Sequence, residues 1–258
     1  MSNPVLNADR WEALSAAENA GVVANTMTVG GTVTKTFVLV GIMIATVGVM
    51  WAQLWHGGKV DPSVQLWTFG GAIAGFVLSL IGMFAPRSAV IVAPLYAICE
   101  GLFLGGITMI VSTIKAYEGI GLMAAVLTMA TLIGMLLLYQ TGIIKASERF
   151  VRGVMIATAG LAIGVGILFL LSMFGIGGSI THALYGSGPI GIGFSIFCIV
   201  LAAFNLVVDF GFIESQAKAN APKYMEWVGA MALLVTLVWL YIEILNLLMK
   251  LRGGDDDR

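Results

Sequence analysis

Long apolar stretches of similar length fill the chain after residue 33. Seven of them can be delimited, separated by short polar or glycine-containing connections: 34–55, 65–84, 89–112, 119–139, 153–174, 188–210 and 227–249. Each has about 20–25 residues, the length that an α-helix needs to cross the roughly 30 Å of bilayer hydrocarbon. The pattern therefore predicts an all-α, polytopic membrane protein with seven transmembrane helices.

The distribution of polar residues divides the chain into three parts. Residues 1–33 are polar and predict an N-terminal tail that is flexible or lies on the surface. Residues 34–250 form the predicted seven-helix transmembrane domain, and residues 251–258 form an acidic C-terminal tail. The connections are too short to hold a soluble domain, so the lipid bilayer is the main predicted environment of the chain.

Composition and charge support this interpretation. The chain is 59% hydrophobic and only 10% charged, whereas soluble domains carry roughly 25% charged residues. Its 13 basic and 14 acidic residues nearly cancel, which argues against nucleic acid as a partner. Cys99 and Cys198 both lie in apolar stretches, so neither a structural disulfide nor a metal cluster is expected. We expect no cofactor, apart from Ca²⁺ as a candidate transported ion.

The positions of Lys and Arg predict the orientation. The side of the N-terminus has eight of them: Arg10, Lys35, Arg87, Lys145, Arg149, Arg152, Lys218 and Lys223. The opposite side has five: Lys59, Lys115, Lys250, Arg252 and Arg258. Because cytoplasmic loops carry the excess of basic residues, we expect a multi-pass protein of the cell (inner) membrane, with its N-terminus cytoplasmic and its C-terminus outside.

Three carboxylates carry the candidate chemistry. Glu100, Asp209 and Glu243 lie inside or at the edge of apolar stretches that contain no Lys or Arg. An ionisable group in a transmembrane helix costs about 2.5–3.5 kcal/mol on insertion scales, so it is usually functional. Without a basic partner, such an acid must stay protonated or hold a cation. The three acids therefore predict a pathway for H⁺ or Ca²⁺, and the structural alternative is hydrogen bonding between helices.

Two amides share a helix face with two of these acids. Asn205 precedes Asp209 by one turn, and Asn246 follows Glu243 by three residues. Each amide is predicted to add an oxygen ligand or a hydrogen bond to its acid.

Two further acids flank the connection between the sixth and seventh stretches. Glu214 and Glu226 lie close in sequence to Lys218 and Lys223. This spacing predicts a solvated rim on the cytoplasmic side, and the mouth of an ion pathway is the alternative role.

The polar residues give less support to an enzymatic function than to an ion pathway. Residues 186–191 fit the letters of a GxGxxG motif, but no strand precedes them and no nucleotide-binding domain has room to form. A serine protease in the membrane needs a general base, and both His56 and His182 lie in predicted loops. An aspartyl protease needs two acids that share a proton, and the Gly-x-Gly-Asp context of such enzymes is missing. The sequence therefore predicts that the chain is not an enzyme.

Three segments resemble the bacterial, YccA-type branch of the Bax inhibitor family. Residues 93–106 (APLYAICEGLFLGG) resemble the third span of that branch, and residues 207–214 (VVDFGFIE) resemble its sixth. Residues 239–248 (WLYIEILNLL) resemble its terminal span, which usually carries aspartate where this chain has Glu243. The likeness extends over residues 27–252 and includes the number of spans.

The resemblance implies a fold in which the last helix is central, wrapped by two groups of three helices. It also implies a pH-sensitive Ca²⁺ leak, gated by two acids of the sixth and seventh spans that share a proton when the pore is closed. By position these acids are Asp209 and Glu243, which makes them the hypothetical Ca²⁺ ligands. The predicted span limits place Glu243 about 24 Å into its helix, however, so Glu100 is an alternative neighbour for it. Both pairings stay open at this point.

Two functions follow. The first is a pH-sensitive leak channel for cations, with Ca²⁺ as the expected ion, that uses Asp209, Glu243 and Glu100. The second is a non-conducting membrane regulator that binds a membrane protease or stress machinery through residues 1–33.

Overall fold

A computed structural model describes residues 26–56, 59–175 and 178–253. Within these ranges the chain forms eight α-helices and one short hairpin. The helices are α1 (Val29–Leu54), α2 (Val64–Phe84), α3 (Ala89–Ser112), α4 (Ile120–Gln140), α5 (Glu148–Met173), α6 (Gly178–Tyr185), α7 (Pro189–Lys218) and α8 (Met225–Gly253). All except α6 are long and apolar enough to cross a membrane, which confirms the predicted all-α polytopic fold. Most of the predicted N-terminal tail (1–25) and the end of the acidic tail (254–258) lie outside the described residues.

Several helices extend beyond the apolar stretches that predicted them. Helix α1 begins five residues early, at Val29, because the Thr28 side chain caps it by accepting a hydrogen bond from the Gly31 amide. Helix α7 continues to Lys218, eight residues past the predicted end at 210. Hydropathy marks where a helix leaves the hydrocarbon, whereas hydrogen bonding and capping decide where the helix itself ends. As a result, Asp209 lies well inside α7 rather than at its end.

Hydropathy did not predict the short elements, which include a hairpin and helix α6. Strands β1 (Trp55–His56) and β2 (Lys59–Val60) pair antiparallel in the connection between α1 and α2. Helix α6 precedes α7, and the turn between them packs so closely that a Cβ on Gly191 would overlap the carbonyl oxygen of Gly186. This close approach brings the C-terminal end of α6 onto the first turn of α7.

Helix α8 is the centre of the bundle. It is the most buried of the seven candidate spans and packs against α1, α3, α4 and α7. Helices α1, α2 and α3 form one group around it, and α4, α5 and α7 form the other. The arrangement implied by the family resemblance, with the last helix between two three-helix groups, is therefore confirmed.

Close helix packing in the first group depends on small residues. A Cβ on Gly71 of α2 would lie 2.7 Å from the carbonyl oxygen of Cys99 in α3. A Cβ on Gly101 of α3 would lie 2.7 Å from the carbonyl oxygen of Met43 in α1. Backbones that approach this closely gain dispersion contacts, the main source of helix association in lipid. The first three helices thus form a tight unit.

The segment before α1 is fastened to the connection between α7 and α8. The Met27 amide donates a hydrogen bond to the Ala221 carbonyl oxygen at 2.7 Å, and Thr26 forms an isolated β-bridge with Pro222. Met27 is buried in the main core cluster. This contact holds the start of α1 beside the start of α8.

Candidate functional site

Two hydrogen bonds fix the register between α7 and α8. Thr236 Oγ1 donates to Asp209 Oδ2 at 2.6 Å, and Lys250 Nζ donates to Ser195 Oγ at 2.9 Å. The helices are antiparallel, and the bonded positions are separated by the same fourteen residues on both: 236 to 250 on α8 and 209 back to 195 on α7. The two helices therefore keep one register over four turns.

Polar groups of α8 line this contact at regular intervals. Thr236, Glu243 and Lys250 are separated by seven residues each, so they lie on one side of the helix, about 10 Å apart. We call these three residues the α8 stripe. By the register, Glu243 is level with Ala202, a fully buried residue of α7. No acidic residue of α7 therefore lies at the level of Glu243.

The register separates the two acids that the family resemblance pairs. Asp209 is level with Thr236, and Glu243 lies seven residues further along α8, about 10 Å deeper in the bundle. The structure therefore does not bring Asp209 and Glu243 together as a proton-sharing pair. Asp209 is half-buried, and a hydroxyl takes the place opposite it that the second acid was expected to fill.

Glu100 of α3 lies close to the level of Asp209 and packs against α2. It is 7% exposed, its Oε2 has no hydrogen-bond partner among the described residues, and its Oε1 faces Gly75 of α2. The contact between Thr108 of α3 and Tyr241 of α8 (2.8 Å between hydroxyl oxygens) aligns the two helices, so the depth of Glu100 can be compared with that of residues on α8.

Glu100 precedes Thr108 by eight residues on α3, and Thr236 precedes Tyr241 by five residues on α8. The two helices run in the same direction, so the levels of Glu100 and Thr236 differ by three residues, or about 5 Å. Glu243 follows Tyr241 by two residues, about 15 Å from the level of Glu100. The alternative pairing of Glu100 with Glu243 is therefore not formed either.

A cavity of about 410 Å³ adjoins Asp209. It opens between α2 and α7, which both flank α8. Its lining residues are Ser79, Leu80, Gly82, Met83, Ala89, Asp209, Val228, Met231, Ala232, Val235 and Thr236. They come from the last two turns of α2, the first residue of α3, Asp209 of α7 and the first twelve residues of α8, so the cavity extends from Asp209 toward the side of the bundle where α1 begins. Three polar side chains in a space of this size are enough to hold water.

Glu243 belongs to a separate cluster nearer the C-terminal end of α8. It is half-buried, and Trp239 precedes it by one turn. Tyr185 of α6 is close enough for the two groups to interact: burial raises the pKa of Tyr185, and the charge of Glu243 raises it further. This cluster also contains Lys250, on the same stripe.

Lys250 is the functional candidate that sequence reasoning missed. It was counted among the charges outside the membrane, but it is only 6% exposed. Its ammonium donates hydrogen bonds to the carbonyl oxygens of Leu184 and Gly191 and to Ser195 Oγ, each at 2.9 Å. The apolar stretch 227–249 contains no Lys or Arg, as the sequence indicates, but α8 continues past it and places Lys250 on the same side of the helix as Glu243. The seven-residue spacing from Glu243 to Lys250 was the available signal.

The prediction that Glu226 lies on a solvated rim is wrong. It is 0% exposed and forms ion pairs with Lys35 and with Lys223, the latter at 2.8 Å. The amide and the hydroxyl of Thr28 each donate to Glu226 Oε1 at 2.9 Å. The early start of α1 and the fastened segment before it cover this carboxylate, so it links α1 to α8 instead of facing solvent. We call Glu226, Lys35, Lys223 and Thr28 the Glu226 cluster.

Two of the other predicted supporting residues, Glu214 and Asn205, have partners away from Asp209. Glu214, 41% exposed at its side chain, pairs with Lys218 at 2.5 Å and accepts a hydrogen bond from Tyr139. Asn205 donates to Thr158 of α5 at 2.8 Å and so joins α7 to α5. Asn246 is half-buried beyond Glu243.

The acids are spread along the bundle rather than gathered at one point. Among the described residues, no three acidic, His or Cys side chains are close enough to hold a metal ion. In this conformation the hypothetical Ca²⁺ ligands Asp209 and Glu243 therefore belong to two separate sites. An ion at either site would have to take its other oxygen ligands from hydroxyl groups, carbonyl groups or water.

Comparison with known proteins gives one match. A family model described as Bax inhibitor 1 like matches residues 3–253, nearly the whole chain. No curated protein and no solved structure matches the chain. The family match does not distinguish the bacterial YccA-type branch from the others.

Proposed function

The chain belongs to the Bax inhibitor 1 like family, and we propose that it is a pH-sensitive leak pathway for cations, with Ca²⁺ as the expected ion, in the inner membrane. The observation that carries the proposal is the line of polar groups along the central helix. Asp209 with Thr236 lies at mid-depth, Glu243 about 10 Å beyond, and Lys250 about 10 Å beyond that. Apolar residues alone would stabilise the bundle better, because each polar group in a membrane helix costs free energy.

The cavity beside Asp209 supports a route from the N-terminal face. Ser79, Asp209 and Thr236 all line this one cavity, so an ion or proton that enters it has three polar side chains within reach. Ca²⁺ needs six to eight oxygen ligands, so it would keep much of its water shell in this cavity.

The proposed gate is the protonation of Asp209. When Asp209 is protonated, its carboxyl group is neutral and does not offset the free energy that a cation loses when it leaves water. Without its proton the negative charge lies in a medium of low dielectric constant, where its attraction for a cation is far stronger than in water. Cation flux is therefore expected to rise with pH. Glu243 is the next acid along the proposed pathway, and Glu100 is a third acid about 5 Å from the level of Asp209.

Flux measurements in liposomes test this proposal. The full chain is reconstituted with a Ca²⁺-sensitive dye inside the vesicles, and influx is recorded between pH 5.5 and 8. We expect flux that rises with pH for the wild type and low, pH-independent flux for Asp209→Asn. Glu214→Gln is the matched control, because this acid lies five residues away on the same helix, outside the cavity, and should leave the pH profile unchanged. An unaltered profile in Asp209→Asn would remove Asp209 from the gate.

A non-conducting regulator is the second candidate. The hydrogen bond from Met27 to Ala221 and the Glu226 cluster fasten the start of α1 to the start of α8. A membrane protease or stress component bound to residues 1–33 would thus act directly on the central helix. Absence of flux from the wild type at every pH, together with loss of a co-purifying membrane protein when residues 1–25 are deleted, would favour this function.

We propose no catalytic function. Two acids that share a proton must lie within hydrogen-bond distance, and Asp209 and Glu243 are about 10 Å apart along the bundle.

A further inference from the structure

Lys250 is held by three neutral oxygen atoms. Its ammonium has three N–H donors, and they are directed at Leu184 O, Gly191 O and Ser195 Oγ, all at 2.9 Å. The ring of Tyr185 lies 5.8 Å from Nζ. We call the three oxygen atoms the Lys250 cradle.

The fold builds this cradle from parts that do not depend on Lys250. Leu184 is next to the last residue of α6, so its carbonyl oxygen is one of those that a helix leaves without an intrahelical partner. Gly191 and Ser195 face it from the first turns of α7, and the absence of a side chain at Gly191 allows α6 to approach. Carbonyl and hydroxyl oxygens directed at one point are the groups that replace the hydration shell of a cation in protein pores.

The position of the cradle is the second observation. Lys250 is the last member of the α8 stripe, on the same side of the helix as Glu243 and Thr236. A cation that moves along the stripe from Asp209 past Glu243 therefore reaches the cradle next. Lys250 places a fixed positive charge at this point.

We propose that the Lys250 cradle is a cation site at the C-terminal end of the pathway, and that the Lys250 ammonium occupies it as a tethered plug. The proposal deepens the leak function and rests on it for the blocking role, but not for the existence of the site. Three neutral oxygens match the three N–H donors of a primary ammonium ion, and with added water they also suit the single charge of K⁺. Ca²⁺ is usually held by carboxylates, which the cradle lacks. The cradle is thus a closing element, and the conducted ion passes when Lys250 leaves it.

A role as an ordinary anchor for the end of α8 makes different predictions, and Arg252 offers the control. Arg252 Nη1 donates to the carbonyl oxygens of Ala116 and Glu118 at 3.0 and 3.1 Å, so it fastens the same helix end from an exposed position outside the stripe. Removal of an anchor should have similar effects at both residues. Removal of a plug should affect flux at Lys250 alone.

The first experiment compares Lys250→Ala with Arg252→Ala in the liposome assay. We expect several-fold higher Ca²⁺ influx from Lys250→Ala at each pH and wild-type influx from Arg252→Ala. Ethylammonium, which can enter the vacated cradle, should return the influx of Lys250→Ala toward the wild-type value and leave the other two proteins unaffected. Equal influx from all three proteins, where the wild type conducts, would overturn the plug.

The second experiment tests the site without relying on flux. Thermal unfolding of the detergent-solubilised full chain is followed with and without ethylammonium or K⁺. The midpoint should rise with added cation for Lys250→Ala and stay constant for the wild type, and the rise should disappear in the Lys250→Ala/Ser195→Ala double variant. A rise without any flux from the wild type would retain the cation site and reject the leak function. No rise with either cation would overturn the site itself.

Discussion

Thr236 of α8 donates a hydrogen bond to Asp209 of α7 at 2.6 Å, at the level where the central helix passes the cavity between α2 and α7. The sensor in this chain is therefore one acid held by a hydroxyl, with the next acid, Glu243, two turns away. A hydroxyl donates to a carboxylate but brings no charge of its own. Protonation at Asp209 consequently changes the local charge by a full unit, because no second acid of the described residues is in contact with it to share the proton.

Removal of the hydroxyl tests this relationship. Thr236→Val keeps the side-chain shape and deletes the donor, which should lower the free energy of unfolding by about 1–2 kcal/mol. Because a hydroxyl donor favours the charged carboxylate over the neutral acid, its loss should move the rise in Ca²⁺ flux to higher pH. Thr236→Ser retains the donor and should keep the wild-type pH profile. A pH profile that is identical in Thr236→Val and the wild type would show that this bond does not tune the gate.

Glu226 and Glu214 have similar positions in the sequence, each close to a lysine, but their substitution should have very different effects on the free energy of unfolding. Glu226→Gln leaves the two lysines without their shared carboxylate, which should cost about 2–3 kcal/mol. The cost lies below that of breaking a fully buried pair because Lys35 and Lys223 are partly exposed. Chemical or thermal unfolding in detergent measures it.

Glu214→Gln is the control for this prediction. Glu214 and Lys218 are both well exposed, and exposed pairs of this kind contribute about 0–1 kcal/mol. We therefore expect nearly wild-type unfolding for Glu214→Gln. Equal losses in the two variants would mean that burial of Glu226 does not matter for the stability of the chain.

The seven spans were predictable because hydropathy alone decides which segments can enter lipid, and the family because three segments in order carried the resemblance. Which acids meet was not predictable. The register of α7 on α8 depends on how far α7 continues beyond the hydrocarbon, and residues 211–218 are too polar for hydropathy to include them. The extension to Lys218 moves Asp209 inward to the level of Thr236, which is still two turns of α8 short of Glu243.

The sequence also failed to predict that charged residues at helix ends are buried. Glu226 and Lys250 lie at the two ends of α8, where hydropathy predicts contact with water. In the structure, the segment before α1 covers Glu226, and the end of α6 covers Lys250. Neither covering element has a hydropathy signal, because Met27–Thr28 is too short and α6 has only eight residues.

Neighbouring glycines at the start of α1 test the packing around Glu226. A Cβ on Gly31 would overlap the Glu226 carboxylate, whereas a Cβ on Gly30 would meet nothing within 4 Å. Gly31→Ala should therefore cost about 1–3 kcal/mol, as overpacking of a close contact does. Gly30→Ala should be neutral or stabilising by up to about 1 kcal/mol, because alanine favours the helix. Thermal unfolding of the two variants side by side gives the comparison, and equal midpoints would contradict the described position of Glu226.

The contact between Gly75 and Glu100 can be tested by a double-mutant cycle. A Cβ on Gly75 would lie 3.0 Å from Glu100 Oε1, so Gly75→Ala must displace a buried carboxyl whose other oxygen has no hydrogen-bond partner among the described residues. We expect Gly75→Ala to lower the free energy of unfolding by about 1 kcal/mol, and Glu100→Ala to remove most of that cost, because residues in contact give non-additive effects. Gly70→Ala, with open space at its Cβ, is the matched control on the same helix and should be additive with Glu100→Ala. Additive behaviour of Gly75→Ala with Glu100→Ala would place the Glu100 carboxyl away from α2, and Glu100 would then be free to reach the Asp209 cavity.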